Sequence, residues 1–209
     1  KLDDTSGAIA SDSSGKLGRD ATLVNADAGL LTESGSATDI GDFVAWDFSK
    51  DADAYIQIDD ATASDLSPEL GSQTVVFSYN PKSQGAQALY FKGNDTSEGV
   101  HAYIKGNDYT IFEAQSDSTK TNIGIEYSDA SYYSNWHHFA GVIDRGSGDF
   151  LLYIDGSPVA NGLSNPNSLN DLGSIDPSTP LYIGFDGVSS YYSGLLDDIR
   201  IYGGALTQT

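Results

Sequence analysis

The stretch Trp136-His137-His138-Phe139-Ala140-Gly141-Val142-Ile143-Asp144-Arg145-Gly146-Ser147-Gly148-Asp149-Phe150-Leu151-Leu152-Tyr153-Ile154-Asp155-Gly156-Ser157-Pro158 decides the fold. Two runs rich in β-branched and aromatic residues, Trp136–Asp144 and Phe150–Ile154, flank a Gly/Ser/Asp turn at Arg145–Asp149. Asp155-Gly156 closes the second run with the residues a type I′ turn needs. Along the first run Trp136, His138, Ala140 and Val142 share one face, and His137, Phe139, Gly141 and Ile143 the other. Neither face is cleanly polar, which predicts a hairpin covered on both sides. Trp136, at its head, is expected to be largely buried.

Working outward, the rest of the chain punctuates itself in the same way. Ala21–Asn25, Phe43–Phe48 and Tyr55–Ile58 read as strands, the last with Ile56 and Ile58 inward. Asp59–Leu70 is the one helix-like stretch, and Pro68 limits it to a turn. Thr74–Tyr79 is a strand with Val75, Phe77 and Tyr79 on one face. Ala88–Lys92, Val100–Lys105, Tyr109–Ala114 and Thr121–Ile125 form an antiparallel meander with polar turns between. Asn161–Pro180 carries no strand pattern, and connections of that length are often functional or mobile. Leu181–Phe185 and Gly194–Tyr202 complete the set. With about thirteen short strands, no long helix and no internal repeat, the expected fold class is an all-β, two-sheet antiparallel β-sandwich.

The 209 residues suffice for one such domain. A chain this long buries roughly 70% of its extended surface, so the absence of cysteine leaves no stability gap. The formal charge is −20, with 25 Asp against 5 Glu. Asp favours turns and oxygen-ligand metal sites over helices. Nucleic acid needs a basic footprint and is excluded as a partner. No window reaches membrane-spanning length. The acidity suits an extracellular, secreted surface, although generic solubility accounts for it equally well.

The central hairpin resembles that of the laminin G-like, concanavalin A-like lectin/glucanase jelly-roll domains. The resemblance combines Trp136-His137-His138, the Gly146-Ser147-Gly148 turn and Leu152-Tyr153-Ile154-Asp155-Gly156. A second signature follows in the expected order, Gly194-Leu195-Leu196-Asp197-Asp198-Ile199-Arg200-Ile201-Tyr202 and then Ala205-Leu206. It implies a jelly roll over residues 1–209, one domain excised from a longer protein. It also implies a calcium ion tying the amino-terminal segment to the last strand. Asp197 matches the family's terminal Asp, and Asp3, Asp4 and Asp12 sit in the Asp-x-Ser-Gly-like opening, where Ser-Gly carbonyls complete the six to eight oxygens calcium takes. His137 and His138 belong to the structural hairpin in this family. Related domains often carry Trp where Ser78 stands.

No catalytic residues are expected. The Glu-x-Asp-x-x-Glu run of related hydrolases is absent, and Arg19, Arg145 and Arg200 are too scattered for uronate cleavage. The leading expectation is a calcium-dependent, lectin-like module that binds a glycan or polysaccharide, beside neighbouring domains of a surface adhesin or secreted polysaccharide-acting protein. A protein-interaction or spacer domain is the alternative, and a hydrolase or lyase the third. Two ligand placements stay open. One is a rim of loop residues, with Tyr132, Tyr133 and Tyr191 stacking on sugar rings, and with Asp186, Asn94 and Asp95 supplying oxygens to hydroxyls or a second calcium. The other is the face of His101, Tyr103 and Lys105. A solvated sheet face explains those three residues as readily.

Overall fold

The computed structural model describes residues 9–10, 14, 20–25, 31–33, 44–49, 53–59, 64–93, 98–106, 108–116, 121–128, 132–159, 163–165 and 168–207. Two antiparallel sheets face each other. In spatial order, the nine-stranded sheet runs β1 (Ile9–Ala10), β2 (Ala21–Val24), β5 (Tyr55–Ile58), β15 (Leu181–Ile183), β7 (Gln87–Gly93), β8 (Gly99–Lys105), β9 (Tyr109–Ser116), β10 (Thr121–Ser128) and β14 (Leu163–Asn165). The seven-stranded sheet runs β13 (Ser157–Pro158), β12 (Asp149–Ile154), β11 (His137–Asp144), β6 (Gln73–Pro81), β16 (Gly194–Tyr202), β4 (Val44–Asp47) and β3 (Leu31–Glu33). The all-β sandwich stands. Among the described residues β1, β3, β13 and β14 are pieces of two or three residues that add to the expected strands, too short to leave a periodic signal.

The hairpin lies inside its sheet, with β11 paired to β12 on one side and β6 on the other. His137, Phe139, Gly141 and Ile143 form its buried row. Phe139 stacks on Phe77 (centroids 4.5 Å, 8° between planes), and Phe112 from the facing sheet stacks on Phe150 (4.6 Å, 4°) and meets Phe139 edge-on. Phe112 fits because position 141 lacks a side chain: a Cβ there would stand 2.8 Å from two of its ring carbons. Asp155 (φ 52°) and Gly156 (φ 72°) form the left-handed pair a type I′ turn requires. The Asp155 carboxylate reaches back, one oxygen accepting from the His138 N–H (2.8 Å) and the other 2.9 Å from His137 Nδ1. The two halves of the hairpin signature are thus one hydrogen-bonded unit.

Trp136 precedes β11 and is partly buried, less completely than the core residues of the strand that follows. The hairpin's most deeply buried aromatic is Phe139, fully enclosed.

The long connection is also more structured than its sequence. It holds β14, a 3-10 turn at Leu169–Asp171 capped by Ser168, and a bridge from Ile175 to Glu69. Two cations fasten it through main-chain oxygens. Arg145 donates Nη1 to the Leu169 (2.9 Å) and Leu172 (2.7 Å) carbonyls and Nη2 to that of Gly173 (2.8 Å). The buried Lys92 Nζ reaches the carbonyls of Pro177 (2.9 Å) and Thr179 (2.6 Å). Bonds to carbonyls leave no trace in a hydropathy pattern, so this role is invisible in sequence.

Candidate functional site

The site is built on the meander. Along β8, Val100, Ala102 and Ile104 are completely buried in the sandwich, so alternation turns His101 and Tyr103 to the outer face of the nine-stranded sheet. Register places Phe91 of β7 and Glu113 of β9 on either side of His101. The imidazole stacks on the Phe91 ring (4.4 Å, 14°) and leaves no room for a Cβ at Gly99, whose position would lie 2.5 Å from Nε2. Tyr103 donates its hydroxyl to Glu113 Oε2 at 2.9 Å. A register shift between Ala88 and Tyr90, a β-bulge, borders the same spot. Bulges recur where a sheet re-aims side chains toward a site.

A loop crosses this face from β15 to β16. It closes through a bridge between Phe185 and Tyr191, and Asp186 Oδ1 accepts the N–H groups of Val188 (2.8 Å), Ser189 (2.8 Å) and Ser190 (3.0 Å). Phe185 stacks on Tyr191 (4.4 Å) and packs on Tyr55 (4.7 Å) and Tyr182 (5.4 Å), so four aromatic rings anchor the loop to the sheet. Loop and sheet border an open cleft of about 250 Å³ lined by Phe91, His101, Tyr103, Glu113, Asp186 and Ser190, with Ala86 to Ala88 and Ile104 completing the wall.

The electrostatics follow from burial. His101 is 1% exposed, and burial lowers its pKa to about 4 against the opposing pull of Glu113, so the ring is neutral near pH 7. Its Nε2 has no hydrogen-bond partner among the described residues. Burial, then Glu113, pushes the Tyr103 hydroxyl up and keeps it a donor. Burial would also raise Asp186, but the N–H groups of Ser190, Val188 and Ser189 outweigh it and hold the carboxyl below the usual range.

The sequence placed its candidates in two groups, and the structure redistributes them. Asp186, assigned to the rim, shares the cavity with His101 and Tyr103, assigned to the face. Tyr132 is 3% exposed and part of the core, so it plugs the sandwich as the buried Tyr192 does. Tyr133 is exposed but donates its hydroxyl to the Lys82 carbonyl (2.9 Å). Tyr191 is committed to the anchor beneath the loop. Asn94 and Asp95 lie outside the described residues, as do Asp3, Asp4 and Asp12 of the expected calcium site. Asp197, the remaining member, is half-buried, and its Oδ1 accepts the N–H of Asp198 (2.7 Å) at a bulge of β16. Among the described residues no three His, Asp or Glu groups converge to hold an ion. Ser78 is buried between His138 and Asp197, so that position offers no open platform. Phe91 and Glu113 were missed. Their signal was register, since both sit opposite His101, and register is not written in composition.

Comparison with known proteins places the chain. Its sandwich is similar to the botulinum neurotoxin serotype G binding domain (TM-score 0.59, 19% identity, 94% of this chain and 46% of that one). This chain therefore spans about half of that domain. It is similar to domain 4 of AbnA, an extracellular arabinanase from Geobacillus stearothermophilus solved with arabinotriose (0.58, 20%, 90% and 84%). It is also similar to the CBM40 of the Ruminococcus gnavus IT-sialidase, solved with α2,3-sialyllactose (0.54, 19%, 78% and 88%). These likenesses concern the fold. No curated protein matches the sequence. A laminin G-type family model described as "Concanavalin A-like lectin/glucanases superfamily" matches residues 50–209, and the chain belongs to that family.

Proposed function

We propose that this domain is a non-catalytic carbohydrate-binding module that receives one saccharide ring in the cavity between the β7–β9 face and the loop after β15. The carrying observation is that stacked Phe91 and His101, the Tyr103 hydroxyl and two carboxylates meet in one cavity. Aromatic rings pack on sugar C–H faces while fixed polar groups read hydroxyls, the usual division of labour in a ligand pocket. At about 250 Å³ the cavity is just under the roughly 300–1,000 Å³ of ordinary pockets, enough for a ring and too small for a long segment. The similar folds solved with arabinotriose and sialyllactose support a saccharide ligand.

Absence of catalysis is supported by the surroundings of the two acids. A glycosidase needs one carboxyl with a raised pKa as general acid. Asp186 is shifted the other way, and Glu113 accepts three hydrogen bonds from Tyr103, Gln115 and Asn122. The module reading also carries an extracellular setting next to other domains of a surface or polysaccharide-acting protein.

Calcium belongs to the same proposal through Asp197 with Asp3, Asp4 and Asp12. Chelation should lower the melting temperature, and Asp197→Ala should remove that response. An ion held at 100 times its dissociation constant contributes about 2.7 kcal/mol, a shift calorimetry resolves. An unchanged melting curve after verified metal removal would refute the calcium site. A glycan array with and without chelator tests binding itself. Discrete saccharide hits are expected, and an empty array under both conditions would favour a protein-interaction or spacer domain.

A further inference from the structure

We infer that the ligand of this cavity carries a protonated amine, which on the carbohydrate reading, on which this rests, makes it an amino sugar with a free amino group. Glu113 is the starting point. Its oxygens accept from Tyr103 Oη (2.9 Å), Gln115 Nε2 (2.7 Å) and Asn122 Nδ2 (2.9 Å), all neutral donors. All three contacts use it as an acceptor. Among the described residues no lysine or arginine lines the cavity. Lys105 pairs with Glu126 (3.4 Å) beyond the cavity, and Lys92 spends its ammonium on the carbonyls of Pro177 and Thr179.

Among the described residues the wall is therefore a carboxylate bonded to neutral donors, a second carboxylate on Asp186, and the aromatic rings of Phe91 and Tyr103. Carboxylate and ring face together are what an ammonium group seeks, through ion pairing and cation–π attraction. His101 cannot substitute for the missing cation, since its buried ring stays neutral near pH 7. A sialic or uronic acid would instead meet two like charges in a partly desolvated space, an unfavourable juxtaposition. The acidic chain, at −20, adds long-range attraction for a cationic sugar and repulsion for an anionic one.

The test is calorimetric titration of the intact domain, below the amine's own pKa, with three sets of probes: glucosamine oligomers, N-acetylglucosamine oligomers of equal length, and sialyl- or uronate-bearing oligosaccharides. The glucosamine set should bind at least about tenfold more tightly than its N-acetylated counterpart. Glu113→Gln, shown folded by an unchanged melting curve, should erase that preference by weakening glucosamine binding. Equal affinity for the two sets, or tighter binding of the anionic set, overturns the amine assignment and leaves the carbohydrate reading intact. Failure of every saccharide overturns both. Glu113-dependent binding of a lysine peptide with no saccharide bound would reassign the site to protein recognition.

Discussion

Phe139→Ala is expected to lower the unfolding free energy by about 3–5 kcal/mol, the range for truncating a large buried aromatic. The ring is completely enclosed, stacked on Phe77 within its own sheet and met edge-on by Phe112 from the facing one. Its removal opens a void at the contact between sheets, where close-packed neighbours relax only partly. Domains are stable by only about 5–15 kcal/mol, so the variant should unfold at much lower denaturant with its slope unchanged. Trp136→Ala should cost less, because that side chain is half-buried. If Trp136→Ala proved the more damaging of the two, the assignment of the hairpin's inner face would be wrong.

The second large effect comes from adding atoms. At Gly141 a Cβ would stand 2.8 to 2.9 Å from three carbons of the Phe112 ring. That ring cannot swing aside, since it is fully buried and stacked on Phe150. Gly141→Ala should therefore destabilise by about 1–3 kcal/mol, the usual cost of overpacking, and Gly141→Val by more. Pairing Gly141→Ala with Phe112→Leu should cost less than the sum of the two single changes, because the smaller side chain vacates the contested space. Denaturant titration of the three variants measures this. Strict additivity would mean the two positions do not touch.

The sequence carried the fold because its signals were local. Alternation in Trp136–Asp144, the Asp155-Gly156 turn and the terminal signature are each written in consecutive residues. It was silent where contacts depend on distant partners. Gly141 shared a face with His137, Phe139 and Ile143 without a reason until Phe112 was seen against it. Arg145 looked like one of three scattered arginines, yet it holds three carbonyls more than twenty residues away. The candidate site divided along the same line. His101 and Tyr103 were legible as a face from alternation alone. Phe91 and Glu113 joined them only through cross-strand register, and Asp186 only because its loop folds back over the sheet. Tyr132 went astray because a paired tyrosine in a loop reads identically whether it plugs a sandwich or greets a ligand.

The central claim, that a saccharide sits over His101 and Tyr103 rather than on the loop rim, is tested most directly by comparing two variants. Affinity for an array-verified glycan would be measured by titration for the wild type, Tyr103→Ala and Tyr133→Ala. Tyr103 supplies both a cavity wall and the hydroxyl that holds Glu113, so its removal should weaken binding at least about tenfold, the effect of about 1.4 kcal/mol. Tyr133, tied to the Lys82 carbonyl outside the cavity, should leave affinity unchanged. Loss of binding through Tyr133 with full affinity retained in Tyr103→Ala would contradict the account.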